Sequence, residues 1–143
     1  KSAREAGAML IDQYKGTPYA PRAALLLAKQ NVADKDLKSA QSQLEWAVAN
    51  SKEPAVKDLA RLRLAGVQLD QKQYDAALKT LSGTHSDAFA FRFHDLKGDV
   101  LLAQGKRAEA RTAYQAAFGK LAEDHPYRNI VELKLDALGG APK

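Results

Sequence analysis

The sequence predicts an all-α fold, a solenoid of helical hairpins with about eight helices and a C-terminal capping helix. Alanine and leucine dominate its 143 residues and β-branched residues are few, which favours helix. Small residues recur at matching places in apolar helical segments, first 37 and then 33 residues apart, and this spacing indicates an internal repeat. An amphipathic segment follows the last copy, where a solenoid needs a helix to cover its terminal apolar face.

The repeat is clearest in residues 98–118, which contain Gly98, Ala110, Tyr114 and Ala117. The last three are spaced i, i+4 and i+7, so they share one face of a helix. We expect the small residues to let two antiparallel helices approach closely, while the large residue fills the gap beside them. The same places hold Ala28, Ala40, Leu44 and Ala47 in the first copy, and Ala65, Ala77, Leu81 and Thr84 in the second.

The predicted organisation is a single domain with a leading helix, three hairpins, a capping helix and a loose tail. The corresponding ranges are 1–16, then 17–53, 54–86 and 87–122, then 123–138 and 139–143. We expect the leading helix to turn Ala6, Met9 and Leu10 inward. In the capping helix the apolar residues that we expect to face inward are Ile130, Val131, Leu133, Leu135 and Leu138.

Several local signals predict where helices begin and end. Thr17 is expected to cap a helix whose first residue is Pro18, and Ser86 to cap the helix that follows it. Gly105 is expected to adopt a left-handed conformation in the turn of the third hairpin. Residues 88–93 alternate as a strand does, but six residues do not overrule the helical pattern on both sides, so we predict helix there.

The composition excludes several classes of function. The chain has no cysteine, which excludes disulfides, thiolate metal sites and cysteine nucleophiles. Its net charge is +5, but the basic residues are interleaved with acidic ones, which predicts a solvated helical surface rather than a nucleic-acid site. The longest apolar run has six residues, far short of a membrane span. Because residue 1 is lysine, we expect a fragment whose targeting or anchoring segment lies outside it.

A search for catalytic chemistry finds only one constellation. The three histidines are far apart and not at metal-ligand spacing, and no phosphate-binding loop occurs. Asp95 and Asp99 are spaced i, i+4 and could serve acid–base chemistry with His94 nearby. The alternative that we favour is a polar face neutralised by Arg92 and Lys97. We therefore predict a protein that is not an enzyme, with no catalytic residue, metal or cofactor.

What remains is a surface for binding proteins. In helical solenoids the first helix of each repeat commonly lines a concave face that holds peptides or protein segments. We take the positions on either side of the small residue in each first helix as candidates for this concave face. Their side chains are partly apolar and partly charged. The candidate protein-binding residues are Arg22, Leu25, Lys29, Val32, Leu62, Leu69, Asp70, Arg92, Asp95, Asp99 and Leu102.

The repeat resembles the tetratricopeptide repeat, whose period is 34 residues. More narrowly, "LRLAGVQLDQKQYDAALKTL" and "DLKGDVLLAQGKRAEARTAY" resemble the bacterial ancillary SecYEG translocon subunit family. The resemblance implies an inner-membrane protein with an N-terminal anchor and a periplasmic repeat domain. Its implied partners are the SecYEG translocon, a membrane-anchored periplasmic chaperone of the prolyl-isomerase type, and translocating clients.

Two alternatives concern the partner of this surface. Some tetratricopeptide domains clamp a C-terminal carboxylate, but Asp95 and Asp99 would repel one, so we reject that partner. The other alternative is a scaffold in outer-membrane or cell-wall assembly built on the same repeats. The resemblance instead implies a module that assists secreted or envelope proteins after translocation.

Overall fold

The computed structural model describes residues 2–139, apart from the side chains of residues 2–4, 6 and 10. Over these residues it is all-helical, with eight α-helices and one short 3₁₀-helix, Asp87–Phe89, and it has no strand. This confirms the predicted all-α class and the predicted number of helices. The α-helices are α1 (Ser2–Gln13), α2 (Tyr19–Ala33), α3 (Leu37–Asn50), α4 (Pro54–Asp70), α5 (Tyr74–Leu81), α6 (Ala90–Ala103), α7 (Arg107–Gly119) and α8 (Arg128–Ala137).

The chain divides after Lys72 into two compact units. The first unit contains α1 to α4, and successive helices pack against each other. Its core is built around the small residues of the first repeat, because Ala28, Ala40 and Ala47 are buried together with Leu44. These four positions confirm the predicted alternation of small and large residues in the first copy.

The second unit contains α5 to α8, with α6 packed against α7 and α7 against α8. Gly98 of α6 lies against the ring of Tyr114 in α7: a Cβ atom built at Gly98 would lie 2.4 Å from Tyr114 Cε1. Ala110 and Ala117 are completely buried beside the same ring. The third copy therefore has glycine, rather than alanine, at the position that packs against an aromatic ring. The predicted packing of small and large residues in this copy is confirmed.

Two helix ends differ from their predicted positions. The Thr17 hydroxyl donates to the Tyr14 carbonyl at 2.6 Å, and α2 begins at Tyr19 without a side-chain cap, so the predicted Thr17 cap is wrong. The cause is a turn after α1 that already uses this hydroxyl. Ser86 precedes the 3₁₀-helix and makes no side-chain capping hydrogen bond there, so that prediction is also wrong. Residues 88–93 are helical as predicted, within the 3₁₀-helix and then α6.

The second copy of the repeat departs from the pattern at its end. Ala77 and Leu81 are buried as expected, but α5 ends at Leu81 and Thr84 lies exposed in the following loop. Gly83 adopts a φ of 90° two residues after the helix, a conformation that ends helical hydrogen bonding. The assignment of Thr84 to a packed helical position is therefore wrong.

Some apolar residues that were expected to face inward are exposed. Met9 is 71% exposed, while the side chains of Ala6 and Leu10 lie outside the described residues. In α8, Val131 and Leu135 are fully buried, whereas Ile130 and Leu133 are exposed. Only the stripe at i, i+4 and i+7, which ends at Leu138, packs into the core beneath α7.

The turns inside the three hairpins share one backbone conformation. Lys35, Lys72 and Gly105 have φ values of 63°, 61° and 81°, and their spacing equals the spacing of the repeat. The prediction for Gly105 is confirmed, and the same left-handed residue ends α2 and α4 although both carry lysine there. Glycine adopts this conformation without steric cost, whereas a side chain makes it unfavourable.

We expect Lys35→Gly and Lys72→Gly each to raise the free energy of unfolding by up to about 1 kcal/mol, since both lysines are exposed and only backbone strain changes. Conversely, Gly105→Ala should lower it by about 1 kcal/mol, because no atom lies within 4 Å of the added Cβ and the cost is conformational. Urea-induced unfolding followed by circular dichroism measures both changes. A destabilising glycine at position 35 or 72 would contradict this explanation.

Candidate protein-interaction surface

The candidate residues of the first unit are partly accessible and partly buried. The exposed ones are Arg22, Lys29, Val32 and Asp70, and Leu69 is half-buried. Leu25 and Leu62 are only 6% and 8% exposed, and Leu25 belongs to the core of its unit. The expectation that these two leucines line an open surface is therefore wrong.

The candidate residues of the second unit are also partly accessible and partly buried. Arg92 and Leu102 are exposed, Asp99 is half-buried, and Asp95 is buried, so Asp95 also does not line an open surface. The three buried candidates, Leu25, Leu62 and Asp95, each lie three residues before the small residue of their helix. Residues at i and i+3 share a helical face, so this position lies on the buried side with the small residue.

The accessible apolar residues also occupy equivalent positions. Val32 and Leu102 each lie four residues after the small residue of their helix, and they are 39% and 38% exposed. The helix α6 also carries an exposed arginine, Arg92, whereas the exposed Arg22 of α2 already binds the Glu53 carboxylate. Each unit thus offers one helix with a partly exposed aliphatic side chain, which suits contact with another polypeptide.

The paired carboxylates of α6 belong to an internal network. Lys134 of α8 places its Nζ 3.0 Å from Asp95 Oδ1 and 3.1 Å from Asp99 Oδ1. Tyr127 donates its hydroxyl to Asp95 Oδ2 at 2.7 Å, and Tyr114 donates to Asp99 Oδ1 at 2.6 Å. We call these five residues the α6–α8 network. The expectation that Arg92 and Lys97 neutralise the acids is wrong, because a lysine of α8 does so.

The electrostatics of the α6–α8 network hold its members in fixed protonation states. Burial lowers the pKa of Lys134, but its hydrogen bond to Asp95 and the two nearby carboxylates outweigh burial and raise that pKa above its ordinary value. Burial, and then the hydrogen bond to Asp99, raise the pKa of Tyr114. Burial and the bond to Asp95 raise the pKa of Tyr127. The charged lysine and the neutral tyrosines donate hydrogen bonds that link α8 and the segment before it to α6, and α7 to α6. The two carboxylates therefore accept their hydrogen bonds from within the protein.

The remaining titratable groups give no sign of a metal site. The pKa of His94 is lowered, first by burial and then by repulsion from His85, whose ring centroid lies 6.3 Å away. Among residues 2–139, apart from the undescribed side chains, no group of three histidine, aspartate or glutamate side chains could hold a metal ion. Of the acid–base constellation considered from the sequence, Asp95 and Asp99 accept hydrogen bonds within the α6–α8 network.

The α6–α8 network predicts a loss of stability at high pH. The folded state keeps Lys134, Tyr114 and Tyr127 protonated at pH values where the unfolded chain releases those protons. The stabilisation is therefore complete below about pH 10 and declines as the pH rises above it. Urea unfolding between pH 8 and 11.5 measures the decline. Tyr127→Phe should flatten it, while Tyr19→Phe, at an exposed tyrosine, should not; equal slopes would contradict the prediction.

Sequence reasoning missed a cleft in the first unit, which we call the Trp46 cleft. It has a volume of about 270 Å³ and lies where the α1–α2 turn meets the end of α3. The sequence signal for it is the longer spacing between the first two copies, 37 residues against 33. Its lining residues are Gly16, Thr17, Pro18, Pro21, Trp46, Asn50, Lys52 and Glu53.

Helical hairpins packed through recurring small residues define the class of tetratricopeptide-like interaction domains. The chain belongs to the tetratricopeptide repeat-like domain family, whose model matches residues 1–140.

The sequence is also similar to bacterial proteins named ancillary SecYEG translocon subunit, which confirms the resemblance. It is 35% identical over 129 residues to the Neisseria gonorrhoeae protein, covering 90% of this chain and 62% of that protein. It is 40% identical over 98 residues to the Escherichia coli K12 protein, covering 68% and 48% respectively. The Haemophilus influenzae protein is 32% identical over 101 residues, which cover 71% of this chain and 50% of that protein.

The chain thus spans between 48% and 62% of the length of these three relatives. Within the described part of the chain, the helices are too short or too polar to cross a membrane.

Proposed function

We propose that this chain is a non-enzymatic protein-interaction module of an inner-membrane protein that associates with the SecYEG translocon. The observation that carries the proposal is the 35% identity over 90% of the chain to a protein named ancillary SecYEG translocon subunit. Membership of the tetratricopeptide repeat-like domain family supports a role in binding proteins. In the proposed arrangement the module lies on the periplasmic side, held there by an N-terminal anchor.

The proposed partners are the translocon itself, a membrane-anchored periplasmic chaperone of the prolyl-isomerase type, and secreted or envelope proteins after translocation. The exposed candidate residues support a binding role, because Val32 and Leu102 offer partly exposed aliphatic side chains for contact with a partner. The paired carboxylates of α6 support the non-enzymatic part of the proposal. Asp95 and Asp99 already accept hydrogen bonds from Lys134 and two tyrosines, so neither is free to act as a base.

Site-specific photo-crosslinking in bacterial cells tests this function. A photoreactive amino acid at Val32 or Leu102 should crosslink to translocon subunits or to the periplasmic chaperone. The matched control positions are Glu45 and Glu109, which are exposed on the second helices of the first and third hairpins. Crosslinks only to outer-membrane or cell-wall assembly proteins would favour the scaffold alternative, and equal yields at all four positions would contradict the proposed surface.

A further inference from the structure

The Trp46 cleft lies at the connection between the first two copies of the repeat. The interval from Ala28 to Ala65 is 37 residues, against 33 from Ala65 to Gly98. The α3 helix reaches Asn50 and only residues 51–53 join it to α4, and this stretch supplies Asn50, Lys52 and Glu53 of the lining. The packed positions Ala28, Ala40, Leu44 and Ala47 are not among the lining residues.

The end of α3 and the connection to α4 are held in place by hydrogen bonds. The Asn50 side-chain amide donates to the Trp46 carbonyl at 2.8 Å, which fixes the end of α3. Ser51 is buried, and its Oγ accepts the Glu53 N–H at 3.3 Å across the short connection to α4. The cleft is therefore formed before any ligand arrives, and a ligand loses less free energy to ordering the site.

The lining combines an apolar wall with one uncompensated positive charge. Trp46, Pro18 and Pro21 provide the apolar wall. The Glu53 carboxylate is neutralised by Arg22, whose guanidinium binds both of its oxygens. Lys52 is exposed and has no hydrogen bond or ion pair with the described part of the chain. The cleft therefore favours a ligand with an apolar group and a negative charge close together.

The size of the cleft limits what it can hold. A volume of about 270 Å³ is just below the range of about 300–1,000 Å³ that is typical of small-molecule pockets. It admits one or two side chains of a bound polypeptide. An extended segment suits it, because side chains two residues apart share one face and can enter the cleft together.

We propose that the Trp46 cleft binds an extended acidic peptide segment, with an apolar side chain against Trp46 and, two residues away on the same face, an Asp or Glu carboxylate on Lys52. The inference rests on the proposed function, because it names the chemistry of one polypeptide that the module would hold. It assigns the recognition to the end of α3 and the segment that joins α3 to α4. Neither Val32 nor Leu102 lines the cleft.

Trp46 is the only tryptophan of the chain, so its fluorescence reports directly on the cleft. The 143-residue chain would be titrated with an acetylated and amidated hexapeptide containing Leu-Ala-Glu, and with the same peptide containing Leu-Ala-Gln. We expect a saturable change in fluorescence with the acidic peptide and an affinity at least fivefold lower for the neutral one. Raising the salt concentration should weaken binding of the acidic peptide but not of the neutral one, since only the acidic peptide makes an ionic contact.

Two variants make the test specific. Lys52→Gln should weaken binding of the acidic peptide at least fivefold. Lys38→Gln, at an exposed lysine near the start of α3 and about 18 Å along the helix axis from Asn50 at its other end, should leave that binding unchanged. Equal binding of the two peptides, equal effects of the two variants, or no saturable signal would overturn the proposal. Crosslinks from Val32 and Leu102 to the translocon are measured in a separate experiment. Absence of these crosslinks would overturn the proposed function. If the crosslinks are present but the peptide does not bind, only the proposal for the Trp46 cleft is overturned.

Discussion

Lys134→Met is expected to lower the free energy of unfolding by about 3 kcal/mol, the lower end of the range for breaking a buried ion pair. The substitution removes the only ammonium group of the α6–α8 network and leaves Asp95 and Asp99 facing each other. Asp95 has an 8% exposed side chain, so water cannot replace the lost partner. Urea-induced unfolding at pH 7 measures the change.

Two comparisons show whether the loss comes from uncompensated charge. The triple substitution Lys134→Met, Asp95→Asn and Asp99→Asn should recover at least half of the lost stability, because it removes the facing charges. Lys97→Met, at an exposed lysine of α6, should change the stability by less than about 0.5 kcal/mol. An equal loss from Lys97→Met and Lys134→Met would contradict the importance of the α6–α8 network.

Gly98→Leu is expected to lower the free energy of unfolding by about 3 kcal/mol or more, the upper end of the range for overpacking a core. Even the first added carbon would lie 2.4 Å from Tyr114 Cε1 and 2.8 Å from Tyr114 Cζ. The ring cannot simply move away, because it is 1% exposed and its hydroxyl is bonded to Asp99. Gly98→Ala should cost about 1–2 kcal/mol, since the gain in helix propensity offsets part of the clash.

A double-mutant cycle tests the pairing of small and large residues directly. The first repeat has Ala28 and Leu44 at the places that Gly98 and Tyr114 hold in the third, and both are buried in one core. In the Tyr114→Leu background, Gly98→Ala should therefore become stabilising, by about 0.5–1 kcal/mol from helix propensity. The two effects would differ by about 2 kcal/mol of coupling. The same effect of Gly98→Ala in both backgrounds would contradict close packing at this pair.

Much of the fold was predictable because it depends on local periodicity. The spacing of Gly98, Ala110 and Tyr114 fixes one helical face, and residue volume at that face determines how closely two helices approach. The exposed ends were harder to predict. Thr17 has the right residue type for a cap, but the preceding turn uses its hydroxyl, and α5 is only eight residues long because the chain turns at Gly83.

The candidate site was less predictable, for two physical reasons. Counting from the small residue identified exposed positions such as Val32 and Leu102, but it also included Leu25, which shares the buried face at i+3. The partner of Asp95 could not be found from sequence, since Lys134 lies 39 residues away and only the packing of α8 brings it close. The Trp46 cleft likewise depends on how the α1–α2 turn meets the end of α3, which periodicity does not describe.

The central claim, association with the Sec translocon, is tested most directly by isolating the tagged protein from detergent-solubilised membranes and quantifying the translocon subunits that accompany it. The matched control is an unrelated single-pass inner-membrane protein at the same expression level. We predict that SecY, SecE and SecG are enriched at least tenfold over that control. Translocon subunits at the level of the control, with outer-membrane or cell-wall assembly proteins enriched instead, would contradict the proposed function.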